Sequence, residues 1–232
     1  MATGMFQQGG ADYFIDIVMC IDGTGSMSPI IDEVKSNALS FYRKFITGLE
    51  AQDKHAAQVR IKVIVFRDYE CDTNPMEESE FFLLPDQDRE FNEFVSNIRA
   101  EGGGDIPENA LEAIALALKS DWTTGGSKRR HAVLVFTDAE ALELQARAGS
   151  ANYPEGMPKD LGQLGEWWEG LDQTMGSTYQ MKAGRLVIFA PSAYPWTNIQ
   201  AWNRVWTTFS TAGHGLDDVE ITNAIELLVG SV

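Results

Sequence analysis

Short, largely apolar runs alternate along this chain with longer segments in which apolar residues recur every three or four positions. The runs are YFIDIVMCI, RIKVIVF, HAVLVF and GRLVIFA, and their β-branched composition is typical of strands buried on both faces of a sheet. The longer segments include IIDEVKSNALSFYRKF and ENALEAIALALKSDW, which have helical spacing. The alternation predicts an α/β fold, a doubly wound and mostly parallel sheet with helices on both faces.

One apolar run does not fit a parallel connection. SEFFLLP follows RIKVIVF after RDYECDTNPMEE, which leaves no room for a crossover helix. We therefore expect this run to pair antiparallel at an edge of the sheet.

Towards the end of the chain we expect a helix carrying Trp167 and Trp168, a tryptophan-rich helix near 198–206, a short strand near TTFST and a last helix in VEITNAIELLVG. The tryptophans are expected to be mostly core residues.

The bulk properties indicate one folded domain. The 232 residues are 44% hydrophobic, and no linker or repeat divides them, so we expect an N-terminal extension at 1–12 and one domain at 13–232. A formal net charge of −16 disfavours nucleic acid and anionic membrane surfaces as partners. Two cysteines form no disulfide framework, the first residues do not have the pattern of a signal peptide, and no apolar stretch approaches about 20 residues. We expect a cytoplasmic protein.

The stretch IDGTGSMSPI follows the first predicted strand and is rich in oxygen ligands. Asp22 lies where the strand ends, and Thr24 and Ser26 follow at two-residue steps, separated by glycines. In a doubly wound sheet, ligands bind beyond the carboxyl ends of the strands. A carboxylate and two hydroxyls that converge there are hard ligands suited to Mg²⁺ or Mn²⁺.

Other known motifs fit this stretch less well. The dinucleotide fingerprint, the phosphate-binding loop and the hydrolase nucleophile elbow each lack a required residue. A haloacid-dehalogenase-like phosphohydrolase has D-x-D-G-T, and CIDGT matches the second half but has Cys20 at the position of the nucleophile. A magnesium-dependent phosphohydrolase of that type is the alternative function, and it would need Cys20 or a metal-bound water as the nucleophile.

Two distant segments supply further carboxylates for the same edge of the sheet. GGGDIPENAL contains Asp105 in a glycine-rich turn that opens a helix, and VLVFTDAE contains Asp138 at the tip of another central strand. Together with Asp22-x-Thr24-x-Ser26, the sequence resembles the von Willebrand factor A (vWA) domain family from about residue 13 to about residue 228. That family has a metal-ion-dependent adhesion site built from D-x-[ST]-x-S, a threonine of a second loop and an aspartate of a third.

The resemblance implies a ligand set and a sheet topology. Asp22, Thr24 and Ser26 would ligate the metal, Mg²⁺ or else Mn²⁺ or Ca²⁺, and Asp138 would support it directly or through water. Asp105 stands at the position of the family's threonine. The implied strand order is 3-2-1-4-5-6, with strand 3 antiparallel. The strings GGGDIPE and VFRDY resemble sequences of an intracellular branch of the vWA family, whose members are found beside protein kinases and in bacterial stress-response systems.

The expected function is metal-dependent binding of a protein partner in intracellular signalling or a stress response. We expect no enzymatic turnover, because no nucleophile and base accompany the ligand set. Arg67 and Asp68 follow the second strand at the same edge, where they would contact the partner or form a structural ion pair. With Asp105, three carboxylates around one divalent ion leave a net charge of −1, which favours a neutral or basic partner group. A third possible function is that of a scaffold whose metal site is never filled.

Overall fold

The central sheet of this protein has seven strands and is mostly parallel, in a computed structural model that describes residues 12–102, 107–210 and 221–232. In chain order the strands are β1 (Asp12–Asp22), β2 (His55–Phe66), β3 (Met76–Glu78), β4 (Phe82–Leu84), β5 (Lys128–Phe136), β6 (Gly184–Pro191) and β7 (Val205–Ser210). The helices are α1 (Ser28–Glu50), α2 (Asp88–Asn97), α3 (Ala110–Leu118), α4 (Leu161–Trp168), α5 (Trp196–Ile199) and α6 (Ile221–Ser231).

The strand order is β3-β2-β1-β5-β6-β7, and β4 also pairs with β2. β1, β2, β5, β6 and β7 are parallel to one another, whereas β3 and β4 are antiparallel to β2. The mostly parallel α/β fold with an antiparallel edge is thus confirmed. The edge consists of two short strands instead of one, because the side chain of Ser79 interrupts it: the Ser79 hydroxyl accepts a hydrogen bond from the Val63 amide.

Each face of the sheet carries its own hydrophobic core, and this explains why the central strands are apolar at nearly every position. Along β1, Ile17 and Met19 point to the core formed with α1, α2 and α6, and Val18 and Cys20 point to the core formed with α3, α4 and α5. The alternation of a strand sends successive side chains to opposite faces, so both sets are buried.

Two details differ from the sequence-based expectations. The tryptophan-rich helix predicted near 198–206 is too long, because α5 ends at Ile199 and Trp206 lies on β7 with 38% of its surface exposed. A helix cannot run through to residue 206, because Arg204 has a positive φ of 61° and the chain then pairs with β6. Ser28 stands directly before Pro29 in sequence and is therefore expected to cap the helix that Pro29 begins. It is instead the first residue of α1, and its hydroxyl donates to the Gly25 carbonyl.

Within the described ranges, no helix is long and apolar enough to span a membrane.

Candidate metal centre

The carboxyl ends of three adjacent strands meet at one edge of the sheet. β1 lies between β2 and β5, with Asp22 paired to Phe66 and Ile21 paired to Phe136. The residues that follow these strands therefore converge above β1. The loop after β1 carries Thr24 and Ser26, and the segment after β5 carries Asp138.

Asp22 is fully buried, and hydroxyl groups surround its carboxylate. Its Oδ1 accepts hydrogen bonds from the Thr24 amide at 2.9 Å and from the Thr24 hydroxyl at 2.6 Å. Its Oδ2 accepts a hydrogen bond from the Thr137 hydroxyl at 2.7 Å. Thr137 is not among the residues predicted from the sequence. Its signal is a hydroxyl residue directly before Asp138, at the end of a central strand.

The same hydrogen-bonded chain extends to the second carboxylate. The hydroxyl oxygens of Thr24 and Ser26 are 3.3 Å apart, and the Ser26 hydroxyl donates to Asp138 Oδ1 at 3.0 Å. Four of the five predicted ligands are thus brought together. The fifth, Asp105, lies outside the described residues.

The donor set fits a hard divalent cation in its chemistry. Burial raises the pKa of Asp22 to about 6, the hydrogen bonds from Thr24 and Thr137 lower it, and the negative charge of Asp138 raises it. A cation would relieve this repulsion, and carboxylate and hydroxyl oxygens are suitable ligands for Mg²⁺, Mn²⁺ or Ca²⁺. In the described part of the chain, no three or more His, Cys, Asp or Glu residues are grouped to hold a metal. Two of the four described ligands, Thr24 and Ser26, offer hydroxyl oxygens, so the candidate centre is not a cluster of His, Cys, Asp and Glu residues alone.

Arg67, the first residue after β2, is an internal clamp for the loops at this edge. Its side chain is 1% exposed. The guanidinium donates at 2.7–3.2 Å to the carbonyl oxygens of Gly23, Asn74, Arg99 and Glu101 and to the carboxylate of Glu77. A Cβ atom on Gly23 would lie 2.7 Å from the guanidinium carbon, so this close approach requires glycine.

Asp68 is also 1% exposed and is held inside the molecule. Its carboxylate accepts three hydrogen bonds from the guanidinium of Arg147 at 2.7–3.2 Å and one from the Glu70 amide at 2.6 Å. Arg147 also forms an ion pair with Glu70. For both Arg67 and Asp68, burial and internal bonding favour a structural ion pair over direct contact with a partner.

Glu108 is a residue of this edge that was not predicted from the sequence, although it stands in GGGDIPENAL. Its side chain is 1% exposed, and its Oε2 has no hydrogen-bond partner among the described residues. Burial raises the pKa of Glu108 to about 8. Nearby carboxylates add to this rise in pKa and Arg67 opposes it; those carboxylates belong to Asp22, Asp72 and Asp68.

Comparisons with known proteins agree with the architecture. The family model described as von Willebrand factor A domain matches residues 16–148, more than half of the chain. An alpha-protein kinase of Dictyostelium discoideum, vwkA, is 27% identical over 148 residues, which cover 63% of this chain and 22% of the kinase. The chain thus spans less than a quarter of that relative.

Solved structures share the fold at low sequence identity. The pilus adhesin SpaC of Lactobacillus rhamnosus GG matches 96% of this chain and 31% of its own chain, with a TM-score of 0.53 and 9% identity. A structure of the same adhesin in an open conformation matches with a TM-score of 0.50 and 13% identity, covering 96% of this chain and 30% of the adhesin. At these identities the likeness concerns the fold alone.

Proposed function

Since this chain belongs to the von Willebrand factor A domain family, we propose that it is a protein-interaction module that binds its partner through a divalent metal ion at the carboxyl edge of the sheet. The observation that carries the proposal is the hydrogen-bonded chain of carboxylates and hydroxyls at that edge. Residues 112 or more positions apart in sequence contribute to it, because Ser26 donates to Asp138 and Thr137 donates to Asp22.

The proposed ligands are Asp22, Thr24, Ser26 and Asp138. Asp105 is proposed as a fifth ligand from the sequence pattern alone. Mg²⁺ is the expected ion, with Mn²⁺ or Ca²⁺ as substitutes, because all these ligands offer hard oxygens. The bound ion supplies a coordination position for a group of the partner. The protein side chains hold the ion at the sheet edge and offset the mutual repulsion of the carboxylates.

The charge of the centre determines which partner group it accepts. Asp22, Asp105 and Asp138 together carry −3, so a divalent ion leaves a net charge of −1. Repulsion of a partner carboxylate at about 4 Å is worth roughly 4 kcal/mol at an effective dielectric near 20. Arg67 does not restore the balance, since its charge is already paired with Glu77 at 2.8 Å. We therefore propose a partner that presents a neutral or basic group.

The phosphohydrolase alternative gains no support. Cys20, the residue at the nucleophile position, is fully buried within β1, and its thiol lies against the Ala113 carbonyl. Burial raises the pKa of the Cys20 thiol far above its usual range, which disfavours the reactive thiolate.

We also propose that the protein acts in signalling and that it is located in the cytoplasm. The relative named as an alpha-protein kinase supports the signalling role.

Isothermal titration of the full chain with Mg²⁺, together with thermal unfolding in EDTA and in Mg²⁺, tests the metal site. At a free metal concentration about 100 times the dissociation constant, stability should rise by roughly 2.7 kcal/mol. Asp22→Ala should lose this increment. The matched control is Asp172→Ala: Asp172 accepts hydrogen bonds from the amide and hydroxyl of Thr174 at 2.8 and 2.6 Å, as Asp22 does from Thr24, but it precedes β6 and lies away from the carboxyl edge.

Capture of binding proteins from a lysate of the source cells, with and without EDTA, tests the partner. A protein retained in Mg²⁺ and released by EDTA supports the proposal, provided that Asp22→Ala fails to retain it and Asp172→Ala retains it. Equal metal-induced stabilisation of the wild type and Asp22→Ala would refute the site. Partner binding that is indifferent to EDTA would refute the metal-dependent mechanism.

A further inference from the structure

Glu108 is held between the segments that follow β2 and β5. Its amide donates to the Glu140 carbonyl at 3.2 Å, and its carbonyl accepts from the Leu142 amide at 2.8 Å. On the other side, the amide of the next residue, Asn109, donates to the Arg67 carbonyl at 3.3 Å. Because β1 runs between β2 and β5, these bonds fix Glu108 across the carboxyl end of β1.

The Glu108 carboxylate is buried there without full compensation. Oε2 lacks a hydrogen-bond partner within the described part of the chain, and burying such an oxygen is unfavourable. The carboxylates of Asp22, Asp68 and Asp72 are close enough to act on it electrostatically. Arg67 also acts on Glu108, but its guanidinium is already bonded to four carbonyl groups and another carboxylate. A cation beside Glu108 would offset this excess of negative charge.

A second buried carboxylate, Glu112, lies in a different environment. Glu112 is in the first turn of α3, and its Oε1 accepts a hydrogen bond from the Tyr153 hydroxyl at 2.7 Å. Burial raises the pKa of Glu112, hydrogen bonds with Tyr153 and Asn109 lower it, and the leading causes of the shift include no carboxylate of the sheet edge. Its Oε2, like that of Glu108, has no hydrogen-bond partner among the described residues. Glu112 therefore resembles Glu108 in burial and charge but not in its relation to the metal centre.

We propose that Glu108 is a further residue of the metal centre, where its carboxylate accepts a hydrogen bond from a water molecule on the ion held by Asp22, Thr24, Ser26 and Asp138. This inference rests on the proposed function. The contact is assigned to a water because Glu108 does not group with two other carboxylates of the described residues into a direct metal site. Outer-shell partners of this kind contribute about 10- to 100-fold to metal affinity.

The test is metal titration of the full-length Glu108→Gln variant, which preserves the size of the side chain and removes its charge. Its affinity for Mg²⁺ and Mn²⁺ should fall by about tenfold or more. Thermal unfolding in EDTA should occur near the wild-type temperature, because the amide keeps the size of the side chain and the backbone hydrogen bonds that hold residue 108. Glu112→Gln is the matched control and should bind metal within about twofold of wild type. A structural role alone for Glu108 would leave metal affinity unchanged.

Each outcome decides the inference. Wild-type metal affinity in Glu108→Gln, with binding lost in Asp22→Ala, would overturn this inference and leave the proposed function intact. A wild-type protein that binds no metal would overturn both. If Glu108→Gln does not fold in EDTA, Glu108→Asp replaces it, since this variant retains the charge but withdraws it by one methylene. A decrease of at least about threefold in its metal affinity then supports the proposal, and wild-type affinity overturns it.

Discussion

Arg67→Ala should destabilise the protein strongly, because it removes the clamp that joins the loops at the carboxyl edge. The buried guanidinium makes five hydrogen bonds. Hydrogen bonds to a charged group are worth about 1.5–3 kcal/mol each, but they are not additive, and breaking a buried ion pair costs about 3–5 kcal/mol in all. Glu77 is partly exposed and regains water. We therefore expect a loss of about 4 kcal/mol.

The assay is equilibrium unfolding in urea with EDTA present, supported by calorimetry. For a chain of this size, a loss of about 4 kcal/mol corresponds to a decrease in Tm of roughly 8–16 °C. Arg67→Lys should retain part of the stability, since an ammonium keeps the charge but reaches fewer of the carbonyl oxygens. The control is Arg89→Ala on the exposed side of α2, where a change within about 0.5 kcal/mol is expected.

A double-mutant cycle with Gly23→Ala tests the mechanism directly. The Cβ atom that Gly23→Ala introduces would lie 2.7 Å from Arg67 Cζ and equally close to Cγ1 of Val65. Removing the Arg67 side chain relieves the first of these clashes, so Gly23→Ala should cost less in the Arg67→Ala background than in the wild type. Additive effects, or a loss below about 1 kcal/mol for Arg67→Ala alone, would refute the assignment of Arg67 as the clamp.

Three further predictions concern other parts of the chain. Burial lowers the pKa of His131 to about 4 from its usual 6.5, so the unfolded chain gains this proton first as the pH falls. The contribution of His131 to stability should therefore drop by about 2 kcal/mol from pH 7 to pH 5, opposite in sign to the contributions of Asp22 and Glu108, whose pKa values are raised, and the difference between the urea-unfolding pH profiles of the wild type and His131→Gln measures it. Asp105→Thr should weaken Mg²⁺ binding in calorimetric titration and strengthen the binding of acidic peptides, whereas a complex with a partner carboxylate directly on the metal of the unmutated protein would contradict the charge argument. A thiol reagent should label the exposed Cys71 and leave the buried Cys20 unmodified until urea unfolds the chain, as mass spectrometry of the labelled peptides would reveal.

The sequence alone determined the features that depend on neighbouring residues. Apolar runs of strand length and helical periodicity predicted the central strands and the long helices, because burial on both faces of a sheet leaves a continuous apolar pattern. The spacing of Asp22 and Thr24 likewise predicted convergence, and the hydrogen bonds between them join residues two positions apart. Such a contact needs only a local turn of the chain between the two residues.

Tertiary structure decided what long-range pairing controls. The Trp206 segment has helical neighbours in sequence, yet pairing with β6 makes it a strand. Thr137 became a partner of Asp22, and Glu108 became a buried carboxylate, only because β5 and β2 flank β1 in the sheet. The charge of Arg67 allowed two interpretations, partner contact or ion pair, and burial favours the second. Hydrogen bonding and desolvation depend on which groups surround a side chain in space, and no local pattern of residues encodes that.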